Sequence, residues 1–151
     1  MQGGISMKIS AKGKYAIKLM VDLAMYNSGG PVRLKDIARR QDISVKYLEQ
    51  IVSELSRAWL VKSTRGAGGG YTLAYAPNKY TVAQILKVTE GNLSPQACVG
   101  ENAMPCENKA TCVTSMIWEK LDKAIFEVLD NMTLEDLVDW QQQVAADYYT
   151  I

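Results

Sequence analysis

Five consecutive residues, Gly66-Ala67-Gly68-Gly69-Gly70, constrain this chain more than any other stretch. A run so rich in glycine neither holds a helix nor adds side chains to a core, so it reads as a tight turn. The chain is β-patterned on both sides, with Leu60-Val61-Lys62-Ser63-Thr64-Arg65 before the run and Tyr71-Thr72-Leu73-Ala74 after it. Together these predict a glycine-tipped hairpin. Nucleotide-binding readings of the same glycines fail on their neighbours. No Gly-Lys-Ser/Thr follows, as a phosphate loop requires. In a dinucleotide fingerprint begun at Gly66 and Gly68, the third glycine position is Tyr71, and no helix opens there.

The residues before the hairpin predict three helices. From Ala11 to Tyr26, Tyr15, Ile17, Leu19, Met20, Leu23 and Ala24 recur at helical spacing behind Ser10, a capping residue. Asn27-Ser28-Gly29-Gly30-Pro31 breaks the chain. A second helix spans about Leu34 to Gln41, with Ile37 and Ala38 inward. After the turn Gln41-Asp42-Ile43, Ser44 caps a third helix from Val45 to about Leu60, with Leu48, Ile51, Val52 and Leu55 as its buried stripe. Helix, tight turn, helix and hairpin is the order of a winged helix-turn-helix, whose second helix enters the major groove.

Charge agrees with that order. Residues 1–65 carry twelve Lys or Arg against five Asp or Glu, a local +7, whereas residues 66–151 carry five against eleven, a local −6. Only the first half is suited to a polyanion. Lys46, Glu49 and Gln50 lie where a recognition helix meets base edges, and each has a natural base partner. Tyr47 beside them is suited to packing, phosphate contact or base contact. Arg65, at the base of the hairpin tip, suits a narrow minor groove. Lys8, Lys12, Lys14, Arg39, Arg40 and Lys62 are candidates for phosphate contacts that position without specifying.

The acidic half contains a capped helix from Thr81 to Val88 that Gly91 ends, and later a stronger amphipathic stretch from about Thr114 to Asn131. There Ile117, Leu121, Ala124 and Val128, with Ile125 and Leu129 beside them, approach a coiled-coil seam. This predicts a homodimer able to read a palindromic duplex. A final short helix, Leu134–Trp140, packs back through Leu137 and Val138. The expected class is therefore mainly α with a small β-hairpin wing, a winged helix-turn-helix followed by a long dimerisation helix. Its parts are 1–6, a tail or expression remnant; 7–80, the DNA-binding domain; 81–113, a connecting helix and cysteine loop; and 114–151, the dimerisation and C-terminal helices. No apolar run approaches the roughly 20 residues of a membrane span, and Met1–Ser6 is too short and polar for a secretory signal. A cytoplasmic chain is expected, with its cysteines reduced or metal-bound.

Those cysteines, Cys98, Cys106 and Cys112, are the only three in the chain and fall within fifteen residues of polar loop. Clustered soft thiolates suit zinc, copper(I) or an iron–sulfur cluster. Zinc sites usually show paired CxxC spacing and a fourth Cys or His, and this chain has neither CxxC nor histidine. The absence of histidine, of an activated nucleophile and of a phosphate loop also argues against an enzyme. The Glu135 and Asp136 pair reads as solvated.

Four stretches together carry a resemblance. They are Met7-Lys8-Ile9-Ser10-Ala11-Lys12-Gly13-Lys14-Tyr15-Ala16, Ile43-Ser44-Val45-Lys46-Tyr47-Leu48-Glu49-Gln50, Arg65-Gly66-Ala67-Gly68-Gly69-Gly70-Tyr71 and the three-cysteine loop. Over nearly all of Met7–Trp140 the chain resembles the iron–sulfur cluster regulators, the IscR-like and NsrR-like winged-helix repressors and activators. The resemblance implies that Cys98, Cys106 and Cys112 hold a 2Fe–2S or 4Fe–4S cluster in each subunit, absent from an apo preparation. It also implies that Lys46, Glu49 and Gln50 face the major groove and Arg65 the minor. Two departures stand out. IscR-like members carry a histidine ligand where this chain has Ser115, and NsrR-like members an acidic ligand where it has Lys14. The fourth ligand is therefore open among Glu101, Glu107, Ser115, water or a small thiol. The expected function is a DNA-binding transcription regulator sensing redox state, nitric oxide or iron–sulfur status. A cluster-free thiol or cysteine-metabolism regulator is the alternative within the same class. An iron–sulfur electron carrier or cluster-transfer protein is the alternative from another class, and it leaves the basic half and the wing unexplained.

Overall fold

Ser10 opens the fold: its hydroxyl accepts the Gly13 N–H at 3.2 Å and starts α1, Ala11–Met25. The computed structural model describes residues 8–149, so the expected tail at 1–6 lies outside the described residues. Next come α2, Leu34–Gln41, and α3, Val45–Arg57, joined by a turn in which Asp42 takes the left-handed conformation at φ 53°. Leu19, Met20 and Leu23 of α1, Ile37 of α2, and Leu48, Ile51 and Leu55 of α3 are fully buried in one core. Each such side chain contributes about 1.5–3 kcal/mol. The predicted stripes thus face inward.

One core residue is charged. The Asp22 side chain is wholly buried in the middle of α1, and α2 answers it. Arg40 donates from Nε at 2.9 Å and from Nη2 at 2.6 Å, and Gln41 donates from Nε2 at 3.0 Å. The Arg40 guanidinium also lies 4.0 Å from the centroid of the Tyr26 ring. This fork fixes α2 against α1.

The third helix stops three residues short of the expected Leu60. Trp59 turns left-handed at φ 64°, and Leu60 donates its N–H back to Leu55 at 3.0 Å. That is the closing bond of a Schellman-type end, where glycine usually sits. The turn carries Leu60 onto the core and leaves Trp59 79% exposed.

The wing is β1, Val61–Thr64, antiparallel to β2, Gly70–Leu73, with Val61 opposite Leu73 and Thr64 opposite Gly70. A third segment joins it: Val32, just before α2, exchanges backbone bonds of 2.9 and 2.8 Å with Tyr71. Here the glycines are required by close approach. A β-carbon on Gly69 would lie 2.2 Å from the Thr64 carbonyl oxygen, and one on Gly70 would lie 2.4 Å from that of Val32. The buried Tyr80 bolts the two ends of the wing together, its hydroxyl donating to the Leu60 carbonyl at 2.7 Å and accepting the Tyr75 N–H at 3.0 Å.

Beyond Tyr80 lie α4, Val82–Glu90, which opens on a Thr81/Gln84 capping box, then α5, Val113–Asp130, and α6, Leu134–Tyr149. The last helix is a correction: it runs sixteen residues instead of ending at Trp140. Nothing from Gln141 to Tyr149 is glycine or proline, so no residue stops it. Leu134 is its fully buried anchor, and Leu137 touches both hydrophobic clusters. Bonds from Val82 N–H to Met132 O at 2.8 Å and from Leu134 N–H to Tyr80 O at 3.0 Å stitch the α5–α6 turn to the start of α4. No helix among the described residues is long and apolar enough to cross a membrane.

Removing one member of a buried, hydrogen-bonded ion pair leaves the other charge uncompensated. Asp22→Ala is expected to lower the unfolding free energy by about 3–5 kcal/mol, read as a shift in the urea midpoint at unchanged slope.

Candidate nucleic-acid interface and cysteine loop

The first turn of α3 is held by Ser44, whose hydroxyl accepts the Tyr47 N–H at 3.2 Å. With Leu48, Ile51, Val52 and Leu55 buried, the opposite side of α3 must be solvated. That side presents Lys46, Glu49, Gln50, Ser53 and Arg57 as one continuous stripe along a shallow groove. The three predicted base readers are therefore brought together and exposed. Ser53 and Arg57, linked at 3.4 Å, extend the same stripe. Neither was expected from the sequence, although their helical spacing from Lys46 and Gln50 is a readable signal.

Of the roles open to it, Tyr47 packs: it is half-buried, and its ring stands edge-on to Tyr15 with centroids 5.7 Å apart. The ammonium groups of Lys14 and Lys18 each lie 5.8 Å from the centre of that Tyr15 ring. Lys14 is exposed there. Arg65 is exposed at the end of β1, beside a tip that Arg33 pins by donating from Nη2 to the Ala67 carbonyl at 2.9 Å. The wing is thus tied to the helix-turn-helix through Val32 and Arg33.

The remaining basic candidates divide. Lys62 is exposed on β1. Arg40 is committed to Asp22, and Lys12 to Glu54 of α3 at 2.7 Å, so neither offers a free charge to phosphate. Arg39 is exposed, 3.4 Å from Asp36. Lys8 lies elsewhere, lining a groove of about 490 Å³ with Ile9, Leu93, Ala124, Ile125 and Val128.

That groove runs beside α5, which is amphipathic in an unusual way. Phe126 and Leu129 pack on Val82, Leu86 and Leu93. On the other side Val113, Ile117 and Val128 are 70%, 53% and 55% exposed. Ala124 is exposed as well.

The cysteine loop occupies residues 91–112 between α4 and α5. Leu93, Ser94 and Val99 bury its first half. Ion pairs tie Glu101 to Lys87 at 3.3 Å and Lys109 to Glu119 at 3.6 Å. Cys98 is half-buried, Cys106 exposed, and Cys112 half-buried at the cap position of α5. Cys112 Sγ shares a 2.9 Å hydrogen bond with Thr114 Oγ1. This bond, aided by backbone N–H groups of Ser115 and Thr114, lowers the Cys112 thiol below its ordinary value. Ser115 itself is buried, its hydroxyl directed to the carbonyls of Cys112 at 3.0 Å and Lys109 at 3.3 Å. Both it and Glu101 are thus already engaged, which narrows the choice of a fourth ligand.

Three soft thiols on one loop suit an iron–sulfur cluster by donor type. Their positions do not: among the described residues no three His, Cys, Asp or Glu side chains stand together at metal-binding spacing.

A family model described as an iron-dependent transcriptional regulator, Rrf2, matches residues 9–140. The chain belongs to the Rrf2 family. It is 38% identical over 146 residues to the transcriptional regulator IscR of Aliivibrio salmonicida, covering 96% of this chain and 86% of that one. The solved structure of CymR, the global cysteine regulator of B. subtilis, superposes with a TM-score of 0.72 at 43% identity, over 88% of this chain and 97% of CymR. T. potens IscR superposes with 0.73 at 41% identity, over 91% and 90%. These Rrf2 relatives are transcription regulators, not enzymes, and the winged-helix fold expected from the sequence is the one they share. This Rrf2 protein is a DNA-binding transcription regulator.

Because Thr114 is the first cause of the lowered Cys112 thiol, Thr114→Val is expected to move Cys112 alkylation to higher pH. Mass-spectrometric rates across pH 6–9, a range that brackets the ordinary thiol value of about 8.5, check it.

Proposed function

We propose that this Rrf2 protein is a homodimer that reads a palindromic double-stranded operator and takes its input through the cysteine loop. Lys46, Glu49 and Gln50 read base edges in the major groove, and Arg65 enters the minor groove. Lys14, exposed beside the Tyr15–Tyr47 ring pair, contacts phosphate, and Tyr47 holds the first turn of α3 against α1. One observation carries the DNA reading: a solvated polar stripe on α3 stands on the same unit as a wing that Val32 and Arg33 lock in place. Operator DNA puts the working protein in the cytoplasm.

The dimer rests on α5. An exposed stripe of Val113, Ile117, Ala124 and Val128, opposite the side packed on α4, is the kind of apolar surface that a second copy covers. Ile117→Asp is expected to give a monomer in analytical ultracentrifugation and to weaken duplex binding, since each monomer then meets a single half-site.

For the input, Cys98, Cys106 and Cys112 are the proposed ligands of a 2Fe–2S or 4Fe–4S cluster. The donor type and the identity with IscR support this reading, which requires the loop to draw its thiols together. A second reading, a cluster-free thiol regulator, is favoured by the lack of a three-ligand grouping among the described residues, by the lowered Cys112 thiol and by the likeness to CymR. An anaerobic absorbance spectrum with iron and sulfide analysis separates them. Visible absorption with stoichiometric iron, lost in Cys106→Ala, supports the cluster. A protein that stays colourless after anaerobic reconstitution assigns the cysteines to thiol chemistry.

The DNA reading has its own check, fluorescence anisotropy on a duplex selected from a random-sequence pool. Affinity is expected to fall about a thousand-fold between 50 and 200 mM salt. Gln50→Ala is expected to relax preference at one base pair by about 1–3 kcal/mol, while Arg65→Ala shallows the salt slope. Salt-independent binding overturns the reading.

A further inference from the structure

One carboxylate ties the start of α1 to the end of α4, where the cysteine loop begins. Glu90 is the last residue of α4, and Gly91 after it begins the loop. Its Oε1 accepts two hydrogen bonds from Ser10, one from the backbone N–H at 2.9 Å and one from the hydroxyl at 2.7 Å. That hydroxyl is the cap of α1, and at the same time it accepts the Gly13 N–H. The start of α1 is therefore held by the end of α4, eighty residues away in sequence.

Gly13 carries an independent mark of this contact. A glycine within the first turn of a helix is unfavourable, yet it is buried here, and a β-carbon at that position would lie 2.1 Å from Glu90 Oε1. The missing side chain is the space the carboxylate fills. One residue earlier, Lys12 bonds Glu54 of α3 at 2.7 Å, partly buried, so the start of α1 is also tied to the helix that carries Lys46, Glu49 and Gln50. One turn before Glu90, Lys87 holds Glu101 of the loop at 3.3 Å. Contacts thus run from the loop to α4, from Glu90 to the α1 cap, and from α1 to α3.

We propose that Glu90, clamped on Ser10 in the space left by Gly13, is the positioning residue through which the state of the cysteine loop reaches α3. The proposal rests on the loop being the regulatory input and adds the residue that transmits it. Contiguity alone does not establish coupling; a change in coupling that leaves folding intact does.

Since Cys98, Cys106 and Cys112 are the only thiols in the chain, N-ethylmaleimide at pH 7, where it spares amines, directs modification of the metal-free protein to the loop. The readout is the ratio of duplex affinities before and after alkylation, with a thermal melt on each protein. In the wild type the ratio is expected to be about five-fold or more, in the range of ordinary allosteric coupling. In Glu90→Gln, which keeps the shape and removes the charge, it is expected to fall to less than about two-fold while the unalkylated affinity stays near wild type. Gly13→Ala displaces the carboxylate from the other side and should lose the coupling too, although alanine favours the helix, so the two variants do not share a folding defect. An unchanged ratio in both variants, with a responsive wild type, overturns the role of Glu90 alone. A wild type that binds DNA but ignores alkylation overturns the loop-input reading and the proposal with it. A wild type that does not bind duplex DNA overturns the function.

Discussion

A carboxylate buried in the middle of α1 sets the geometry of the whole DNA-binding unit. Asp22 has no access to water, and its desolvation is tolerable only because Arg40 and Gln41 bring three hydrogen bonds to it. Both donors sit at the end of α2, immediately before the turn into α3. Their bonds therefore fix where that turn begins and, through it, the direction of the recognition helix. Hydrophobic burial alone would let the three helices slide. The planar fork of an arginine on a carboxylate has one good geometry, and the core packs around it.

The same interaction changes how the basic half is read. A local excess of positive charge is suited to DNA, but Arg40 and Lys12 serve internal acids. The charge left available is better organised than a diffuse excess: Lys46 with Glu49 and Gln50 on α3, Lys14 beside the Tyr15–Tyr47 ring pair, and Lys62 and Arg65 on the wing. Specific side chains stand together, and the general charge surrounds them.

The cysteine loop is built on a different principle. Its ends are anchored by buried Leu93 and Val99 and by the Ser115 hydroxyl, and its three thiols are not grouped at metal-binding spacing. Between those anchors the loop is held by the Glu101–Lys87 and Lys109–Glu119 ion pairs and a few backbone bonds, so few apolar contacts fix the segment that carries Cys106. Its position places it between α4, which packs on α1, and α5, which exposes an apolar stripe.

Local chemistry made much of this legible in the residues alone. Periodic Leu48, Ile51, Val52 and Leu55 marked α3, Ser10, Ser44 and Thr81 marked helix starts, and the glycine run marked the wing, because periodicity, capping and turn propensity act within a few residues. Helix ends were less legible. Trp59 adopts a conformation usually left to glycine so that Leu60 can reach the core, and α6 continues past Trp140 because no residue stops it. The order of elements, the winged-helix class and the side of α3 left to solvent all follow from such local rules. Tertiary structure alone decided that Arg40 and Lys12 are engaged, that Tyr47 packs on Tyr15, that Val32 adds itself to the wing and that Glu90 meets Ser10. Those pairings join residues far apart along the chain, and no local rule ranks one acid over another as the partner of a given base until the fold has brought them together.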